Sequence, residues 1–440
     1  MEEKIEKATQ IPHKIKQKFN RFLRILGPGL ITGAADDDPS GIATYSQTGA
    51  QFGYGQLWTA LYMLPFMTAV QEACARIGTV TGKGIAAVVR EHYSKKVLYI
   101  VTFLIVGANT INIGADIGAM AAAARLLIPL NFIILTVIFT AIILVLEIFT
   151  PYKVYARILK LLAFTLLAYP ITVILVSQPW EELLLKTLVP HIEFNFSFLF
   201  IITGVIGTTI SPYMFFWQAS EEVEEEISEH RVNQSGGIPR ISWNFIKNMR
   251  IDNFIGMFAS EIAMWSIIVA TATILHNNGV TNINSAADAA RALEPLVHSF
   301  PNAGIIAKAI FATGVIGLGF LAIPILAGSA SYALSETLNW REGLFWKFKQ
   351  AHGFYGIIIA ATLIGLLINF IGIDPIKALI YAAVINGIVS VPLIFLIARI
   401  AQNKKIMGDY KSGWISKTLV WSTFVGMGLA AIAMFATFIH

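Results

Sequence analysis

Long apolar stretches recur along the whole chain, separated by shorter segments that carry most of its charges. Eleven of these stretches are close to the roughly 20 residues that an α-helix needs to cross a bilayer. The pattern therefore predicts an all-α integral membrane protein with eleven crossings. We number the stretches spans 1 to 11, at residues 25–50, 56–77, 97–124, 131–149, 155–177, 198–219, 254–275, 304–334, 354–373, 378–398 and 414–438.

The composition narrows the class of protein in the same direction. Hydrophobic residues make up 56% of the 440 residues and charged residues only 13%, and the mean hydropathy is +0.66. These values exclude an ordinary soluble protein and fit a polytopic membrane protein. The chain has a single cysteine, Cys74, which excludes an internal disulfide.

The basic residues predict the orientation of the chain in the membrane. With the N-terminus in the cytoplasm, 27 of the 32 Lys and Arg residues fall in cytoplasmic segments. The positive-inside rule then predicts a multi-pass protein of the cell (plasma) membrane with a cytoplasmic N-terminus and an outside C-terminus. Topology accounts for the net charge of +5, so no nucleic-acid partner is expected. The basic residues left outside are Arg125, Lys186, Arg291, Lys308 and Lys377.

Two spans contain a proline-centred break, at 38–41 (Asp-Pro-Ser-Gly) in span 1 and 208–212 (Thr-Thr-Ile-Ser-Pro) in span 6. A proline frees the carbonyl four residues before it, here those of Ala35 and Thr208. Such carbonyls are tolerated at membrane depth only inside protein or beside water. Interrupted helices at matching positions indicate an inverted-repeat transporter with a midplane site. A kink in a packed helix is the alternative for either proline.

The predicted organisation of the chain has three parts. Residues 1–24 form a cytoplasmic basic leader, and residues 25–400 form the transport core. Within the core, helices 1–5 occupy about 25–177 and helices 6–10 about 198–400. Residues 401–440 supply a cytoplasmic loop and the eleventh helix.

Three consecutive aspartates, Asp36, Asp37 and Asp38, come directly before the first proline. A charge in the bilayer core costs roughly 2.5 kcal/mol or more, so a binding role is the default expectation. Oxygen donors at the two breaks suit Mg²⁺, Ca²⁺ or Mn²⁺ and offer nothing to softer metals. The predicted ligands are the Asp38 carboxylate, the Ala35 and Thr208 carbonyls and the Ser211 hydroxyl.

Asp36 and Asp37 are adjacent, so both face one ion with Asp38 only if the backbone is unwound there. One of them is expected to support the site or to raise the cation concentration in a vestibule. A neutral or solvated carboxyl is the alternative for each.

Other polar residues lie at membrane depth. Asn112 and Asp116 share one face of span 3 and are expected to point into the bundle. Asn386 either orients water on the ion or joins two helices by a hydrogen bond. Asn109 and Gln218 complete this group.

Buried and terminal glutamates have simpler expected roles. Structural pairing is expected for Glu72 in span 2 and Glu261 in span 7. An acidic run continues span 6 and either receives the exiting ion or is a solvated face, which is the favoured interpretation. The run consists of Glu221, Glu222, Glu224, Glu225, Glu226 and Glu229.

The segment GPGLITGAADDDPSGIATYSQTGAQFGYGQLW resembles the first helix and following loop of Nramp-family divalent-metal transporters, whose motif there is Asp-Pro-Gly-Asn. The segment TTISPYMFFWQAS resembles the sixth helix of that family, usually Ala-x-x-Met-Pro-His. The resemblance runs over nearly the whole chain. It implies a LeuT-type 5+5 inverted repeat with an eleventh helix, and alternating access. It also implies metal ligands on Asp38, Ala35 and Thr208, with the divalent metal ion as substrate and no permanently bound cofactor.

Two departures from the family pattern concern the metal. The family's Asn is Gly41 here, and its Met, which the resemblance implies to be a soft ligand for Mn²⁺ and Fe²⁺, is Ser211. This pattern is similar to that of the Nramp-related magnesium transporters. Mg²⁺ sheds water reluctantly and fits a site with fewer protein ligands.

Other departures concern protons. The family's two histidines in helix 6 are Tyr213 and Gln218 here. Its Asp and Glu in helix 3 align with Asn112 and Ala115, although a shift by one residue brings in Asp116. Coupling to protons is therefore expected to be absent or weak, and protons stay open as a second partner.

The favoured function is transport of a divalent cation, with Mg²⁺ ahead of Mn²⁺. A proton-coupled Mn²⁺/Fe²⁺ transporter is the nearest alternative, and a non-transporting metal sensor or scaffold is the alternative from another class. An intramembrane aspartyl protease would need two carboxylates that share a proton, and nothing in the sequence places Asp38 and Asp116 together. The chain is therefore not expected to be an enzyme.

Overall fold

The computed structural model describes residues 27–149, 167–228, 239, 241–297 and 302–437. The predicted leader and the first part of span 5 lie outside the described residues. Every predicted span contains helix in the part that is described, and the helices keep the span numbers. The bounds are Pro28–Asp36 (span 1a), Pro39–Phe52 (1b), Trp58–Thr81 (2), Lys95–Ala124 (3), Phe132–Phe149 (4), Ala168–Leu175 (5), Phe196–Thr209 (6a), Pro212–Ser228 (6b), Trp243–Ile274 (7), Ala303–Leu338 (8), His352–Ile368 (9), Pro375–Ala401 (10) and Trp414–Ala436 (11).

Short helices connect several spans, and within the described ranges no residue belongs to a β-strand. The protein is therefore all-α, as predicted. The connecting helices are Ile85–His92, Trp180–Leu188, Ala286–Arg291 and Lys404–Met407, with 3₁₀ turns at His276–Asn278, Glu294–Val297 and Gly408–Tyr410.

Seven helical segments of the described chain are long and apolar enough to cross a membrane on length and composition alone. They are spans 3, 4, 6, 7, 8, 10 and 11. Span 1 is divided into pieces of 9 and 14 residues, and span 9 has 17 residues. Span 5 is described only in its second half. The two pieces of span 1 and the 17-residue span 9 are each too short for this length, whereas span 6 is long enough when it is taken across its break.

The broken spans lie at the centre of the molecule, and the packing around them follows the repeat. Span 1 packs along span 7, and span 6b packs on span 2. Since span 6 corresponds to span 1 and span 7 to span 2 in a 5+5 repeat, the two contacts are equivalent. Spans 4 and 11 expose large apolar side chains such as Phe149 and Ile432 on the outer surface. These surfaces face lipid in a membrane protein.

Small residues allow the backbones of spans 1a and 7 to pack directly against each other. A Cβ added to Gly29 would lie 2.6 Å from the backbone nitrogen of Asn253, and one added to Gly33 would overlap the backbone of Gly256. Glycines at such contacts let two membrane helices approach closely. No larger side chain fits here unless the helices separate.

Span 7 also caps the beginning of span 1a. The buried carboxylate of Asp252 accepts hydrogen bonds from the backbone N–H groups of Gly27 (2.9 Å), Gly29 (2.7 Å) and Leu30 (3.2 Å). The first N–H groups of a helix have no partner within the helix, and a negative charge is favourable there. Span 1a is therefore held at its start by a residue more than 220 positions away in the chain.

The predicted pairing of Glu72 is confirmed. Its carboxylate accepts two 3.0 Å hydrogen bonds from Arg76 and one of 2.8 Å from Arg250 of span 7. Arg76 also donates to the Tyr410 carbonyl (2.7 Å) and to the Ser412 hydroxyl (2.9 Å). This network ties the loop before span 11 to spans 2 and 7.

Candidate cation site

Both predicted breaks are present in the structure. Span 1a ends at Asp36, and Asp37 (φ −85°, ψ 50°) and Asp38 (φ −63°, ψ 173°) leave helical geometry before span 1b begins at Pro39. Span 6a ends at Thr209, and span 6b begins three residues later. Because the backbone unwinds between the aspartates, their side chains take different directions.

The Asp38 carboxylate accepts three hydrogen bonds at the first break. Its Oδ1 accepts from the Gly41 N–H (2.8 Å) and the Ser40 hydroxyl (2.6 Å), and its Oδ2 accepts from Asn112 Nδ2 (3.0 Å). Asn386 Nδ2 lies 3.3 Å from Asn112 Oδ1 and donates to it. Asp38 thus caps span 1b, while its second oxygen connects span 1 to spans 3 and 10.

The two carbonyls predicted to be free are not free, which corrects the expectation from the sequence. The Tyr213 hydroxyl donates to the Ala35 carbonyl (2.8 Å), and the Ser211 hydroxyl donates to the Thr208 carbonyl (2.6 Å). An unpartnered buried carbonyl costs free energy, and nearby hydroxyls remove that cost. Among the described residues no backbone N–H outside a helix donates to either carbonyl, so their partners here are side-chain hydroxyls.

The predicted ligands lie in one buried region that joins the two breaks. The Ser40 hydroxyl, which donates to Asp38, also lies 3.4 Å from the Thr208 hydroxyl. A Cβ added to Gly41 would lie 3.3 Å from that same hydroxyl. Asp38 and Ser211 are each only 1% exposed, and Ala35 and Thr208 are fully buried.

Asp36 and Asp37 lie close to span 7. Asp36 Oδ2 accepts from the Ser260 hydroxyl (2.7 Å), and its Oδ1 has no hydrogen-bond partner. Neither oxygen of Asp37 has one. The outer members of the triplet therefore contact different helices, since Asp38 accepts from span 3 and Asp36 accepts from span 7.

The predicted structural pairing of Glu261 is wrong. Both of its carboxylate oxygens are buried without a hydrogen-bond partner. The charged group that interacts with its carboxylate is Asp37, which is also acidic. The face of span 7 that carries Glu261 packs against the acidic end of span 1a. No basic side chain in the described ranges forms an ion pair with it.

Asp116 lies inside the bundle, as its spacing from Asn112 predicts. It is fully buried, its oxygens have no hydrogen-bond partner, and its charge interacts with that of Asp38. Asn109, on the same helix, donates to the Leu326 carbonyl (2.9 Å) and joins spans 3 and 8.

Gln218 lies apart from Asp38, along the same side of span 6b as the acidic run. Its Oε1 accepts from the Thr32 hydroxyl of span 1a (2.5 Å), and its Nε2 donates to Glu222 (2.9 Å). Thr79 of span 2 lies 3.4 Å from the same glutamate and donates to it. These contacts form a chain of polar side chains that connects span 1a through span 6b to span 2.

The acidic run is not a solvated face, which corrects the favoured interpretation. Glu221, Glu222 and Glu226 are buried, and Glu224 accepts from the Tyr332 hydroxyl (2.5 Å) of span 8. Span 6b packs against spans 1, 2 and 8, which cover these side chains, while Glu224 and Glu225 are half-buried. Glu229, the last member of the run, lies outside the described residues.

Sequence reasoning missed several hydrogen-bond partners at the site. Ser40 stands inside the first break motif, and a hydroxyl two positions after an N-cap aspartate was a usable signal. Ser260 and Ser390 had no such signal, since they lie in spans without a break. Ser260 donates to Asp36, and Ser390 donates to the Ile210 carbonyl (2.7 Å).

The donor set is unlike that of a preformed metal cage. Across the ranges that the structure describes, no three His, Cys, Asp or Glu side chains converge closely enough to hold a metal ion. Around the breaks the available donors are one well-placed carboxylate, main-chain carbonyls and hydroxyls. Such donors suit a hard cation that keeps part of its water.

Several solved structures have the same fold as this chain. The manganese transporter of Eremococcus coleocola in complex with an aromatic bis-isothiourea compound has a TM-score of 0.72, with 17% identity over 98% of this chain and 89% of that one. The nucleobase-cation-symport-1 family transporter Mhp1 in a closed conformation has a TM-score of 0.57, with 14% identity over 94% and 92%. MhsT with bound L-phenylalanine has a TM-score of 0.54, with 12% identity over 93% and 97%. The fold is the LeuT-type fold of membrane transporters.

The family follows from the sequence comparison. The family model described as "Natural resistance-associated macrophage protein-like" (Nramp) matches residues 29–437, and the chain belongs to this family. A divalent metal cation transporter MntH of Klebsiella pneumoniae is 27% identical over 417 residues, which cover 91% of this chain and 92% of the relative. The MntH of Caldanaerobacter subterraneus is 25% identical over 405 residues, or 89% and 88% of the two chains.

Proposed function

We propose that this protein carries a divalent metal cation across the plasma membrane by alternating access, with the ion held between the breaks of spans 1 and 6. The observation that carries the proposal is Asp38, a buried carboxylate at an unwound backbone among oxygen donors from both repeats. The membership in the Nramp family and the MntH relatives support the same function.

The proposed ligands are the Asp38 carboxylate, the Ala35 and Thr208 carbonyls and the Ser211 hydroxyl. Asp38 supplies the negative charge, and each carbonyl supplies a lone pair that no backbone N–H uses. With the ion bound, the Ser211 hydroxyl would donate to the Gly207 carbonyl, which lies 2.9 Å away, and present its oxygen to the ion. Asn112 holds Asp38 in place through Oδ2, with Asn386 behind it.

Mg²⁺ is the favoured substrate. The groups that form hydrogen bonds with Asp38 and with the two carbonyls offer oxygen and nitrogen but no sulfur. Thioether and imidazole ligands select softer metals, whereas carboxylate, carbonyl and water suit Mg²⁺ and Mn²⁺. The small number of protein ligands leaves room for the waters that Mg²⁺ retains.

Coupling to protons is proposed to be absent or weak. Where the family pattern has carboxylate or imidazole side chains, this chain has Asn112, Tyr213 and Gln218. None of these three side chains gains or loses a proton near neutral pH. Asp116 favours the second candidate function, a proton-coupled Mn²⁺ carrier, because it is a buried carboxylate without a hydrogen-bond partner whose charge interacts with that of Asp38.

We also propose the topology and domain limits that the charge pattern predicts. The leader at 1–24 and the loop at the start of 401–440 are cytoplasmic, the core spans 25–400, and the C-terminus lies outside. The concentration of Lys and Arg in alternate loops supports this orientation.

Metal competition in proteoliposomes tests the proposal, with uptake of Mg²⁺ measured against Mn²⁺, Ca²⁺ and Cd²⁺ while the internal pH is recorded. We expect Mg²⁺ and Mn²⁺ to compete for uptake without acidification of the lumen. Acidification in step with Mn²⁺ uptake would favour the proton-coupled candidate. No uptake of any of these ions would favour a sensor or scaffold.

A further inference from the structure

The two carbonyls at the breaks are capped in different ways. Ser211 donates to Thr208 and lies 2.9 Å from the Gly207 carbonyl, which is the back-bonding common for serine in helices. Tyr213 instead belongs to span 6b and donates to Ala35 of span 1a, 178 positions away. The second contact therefore results from the tertiary arrangement and joins the two broken helices at the proposed site.

The position of Tyr213 is held on several sides. The residue is fully buried, follows Pro212 at the start of span 6b, and its own carbonyl accepts from the Ser329 hydroxyl of span 8 (2.8 Å). The phenol ring is thus packed in place. Only rotation about the C–O bond or a movement of span 6b relative to span 1a releases the Ala35 carbonyl.

We propose that the Tyr213 hydroxyl competes with the cation for the Ala35 carbonyl. Its O–H donates to the lone pair of Ala35 that the ion would take, and it gives up this carbonyl when the ion binds. This inference rests on the proposed ligand set at the breaks. It adds a positioning residue that is not itself a ligand and that lowers the affinity of the site.

The hydroxyl and the cation compete for the same carbonyl oxygen. In the empty state the hydroxyl satisfies a buried carbonyl, which would otherwise cost free energy. On this proposal the ion takes the place of the hydroxyl hydrogen at the carbonyl oxygen, so part of the binding free energy is used to break the hydrogen bond. A transporter gains from this arrangement because the ion is released more readily and the empty site stays ordered.

Tyr213→Phe tests the inference with the full-length protein in detergent and MgCl₂ as the titrant. Without the hydroxyl, the empty state loses its cap while the loaded state is unchanged. We expect the Kd for Mg²⁺ from calorimetric titration to fall about three- to tenfold, which corresponds to one typical hydrogen bond. The thermal midpoint without metal is expected to fall, and its rise on saturation with Mg²⁺ to grow.

Tyr45→Phe is the matched control. Tyr45 is also fully buried, and its hydroxyl lies 3.0 Å from the Thr209 hydroxyl, so it joins spans 1b and 6a without contacting a proposed ligand. This variant is expected to lower the thermal midpoint and to leave the Kd for Mg²⁺ unchanged. A general loss of packing would weaken binding or leave it unaltered, whereas the inference requires tighter binding.

An unchanged or higher Kd in Tyr213→Phe, with wild-type protein that binds Mg²⁺, overturns this inference and leaves the proposed function standing. Wild-type protein that binds neither Mg²⁺ nor Mn²⁺ overturns both. If Tyr213→Phe does not fold, near-ultraviolet difference spectra of the wild-type protein and Tyr45→Phe replace it. Addition of Mg²⁺ should then shift tyrosine absorbance equally in both, and no shift would overturn the inference.

Discussion

Asp38 does two things at once, and both follow from its place directly before a proline. As the N-cap of span 1b it accepts the Gly41 N–H, which stabilises a helix that begins inside the membrane. Its second oxygen is directed towards Asn112 of span 3. The residue that starts the helix thus also places negative charge at the break.

Ser211→Met tests whether residue 211 contacts the ion. The variant removes a hard oxygen and supplies a thioether, so the selectivity for Mn²⁺ or Cd²⁺ over Mg²⁺ should rise about tenfold, or ~1.4 kcal/mol. Competitive uptake in proteoliposomes measures this ratio. Ser211→Ala is the control, because it removes the same hydroxyl without adding sulfur. Equal selectivity in the Met and Ala variants would show that the side chain at 211 does not contact the ion.

At the level of residues, the sequence predicted which backbone atoms the prolines release but not what occupies them. Pro39 and Pro212 identify Ala35 and Thr208 by a fixed spacing of four. The contact of Tyr213 with Ala35 spans 178 positions and depends on how the two breaks face each other. Local spacing carries no information about such a contact.

Span 1a is a nine-residue helix whose position is fixed by a cap at its start and by its contact with span 7. Asp252 caps its beginning, the break at Asp37 and Asp38 follows its end, and glycines press it against span 7. A helix this short is not stable by itself. Its position therefore depends on contacts that a conformational change can make or break as a unit.

Asp252→Ala tests the cap on span 1a. It leaves the N–H groups of Gly27, Gly29 and Leu30 without their acceptor in a buried place, and we expect a loss of about 2–3 kcal/mol in stability. Thermal unfolding in detergent measures the change. Asp374→Ala is the comparison, because Asp374 is the N-cap residue of span 10 and lies directly before that helix in the chain. Its removal should cost only about 1 kcal/mol of stability. Equal losses in the two variants would contradict a special role for Asp252.

Among the elements, the breaks could be predicted and the surroundings of the acidic run could not. Proline and glycine inside an apolar span indicate an interruption whatever packs around it. A run such as Glu221 to Glu226 is usually solvated, and here neighbouring spans bury three of its members. The predicted pairing of Glu261 is wrong for the same reason, because the partner of a buried side chain depends on which faces of the neighbouring helices pack together.

At the level of the whole molecule, three patterns in the sequence predicted the architecture. The number of apolar stretches and the distribution of Lys and Arg both indicated eleven crossings, and the matching breaks indicated a 5+5 repeat. The structure shows the equivalent packing of span 1 on span 7 and span 6b on span 2. This architecture places the breaks of the two repeats side by side, where alternating access needs a binding site.

The central claim is that a divalent cation crosses the membrane bound to Asp38. Uptake of Mg²⁺ into proteoliposomes by the wild-type protein, Asp38→Ala and Asp374→Ala tests it most directly. Asp38 and Asp374 are both N-cap aspartates followed by proline, so the two variants lose the same kind of helix cap. We expect uptake to be lost in Asp38→Ala, with the protein still folded and inserted, and to be retained in Asp374→Ala. Wild-type rates of Mg²⁺ uptake in Asp38→Ala would contradict the account.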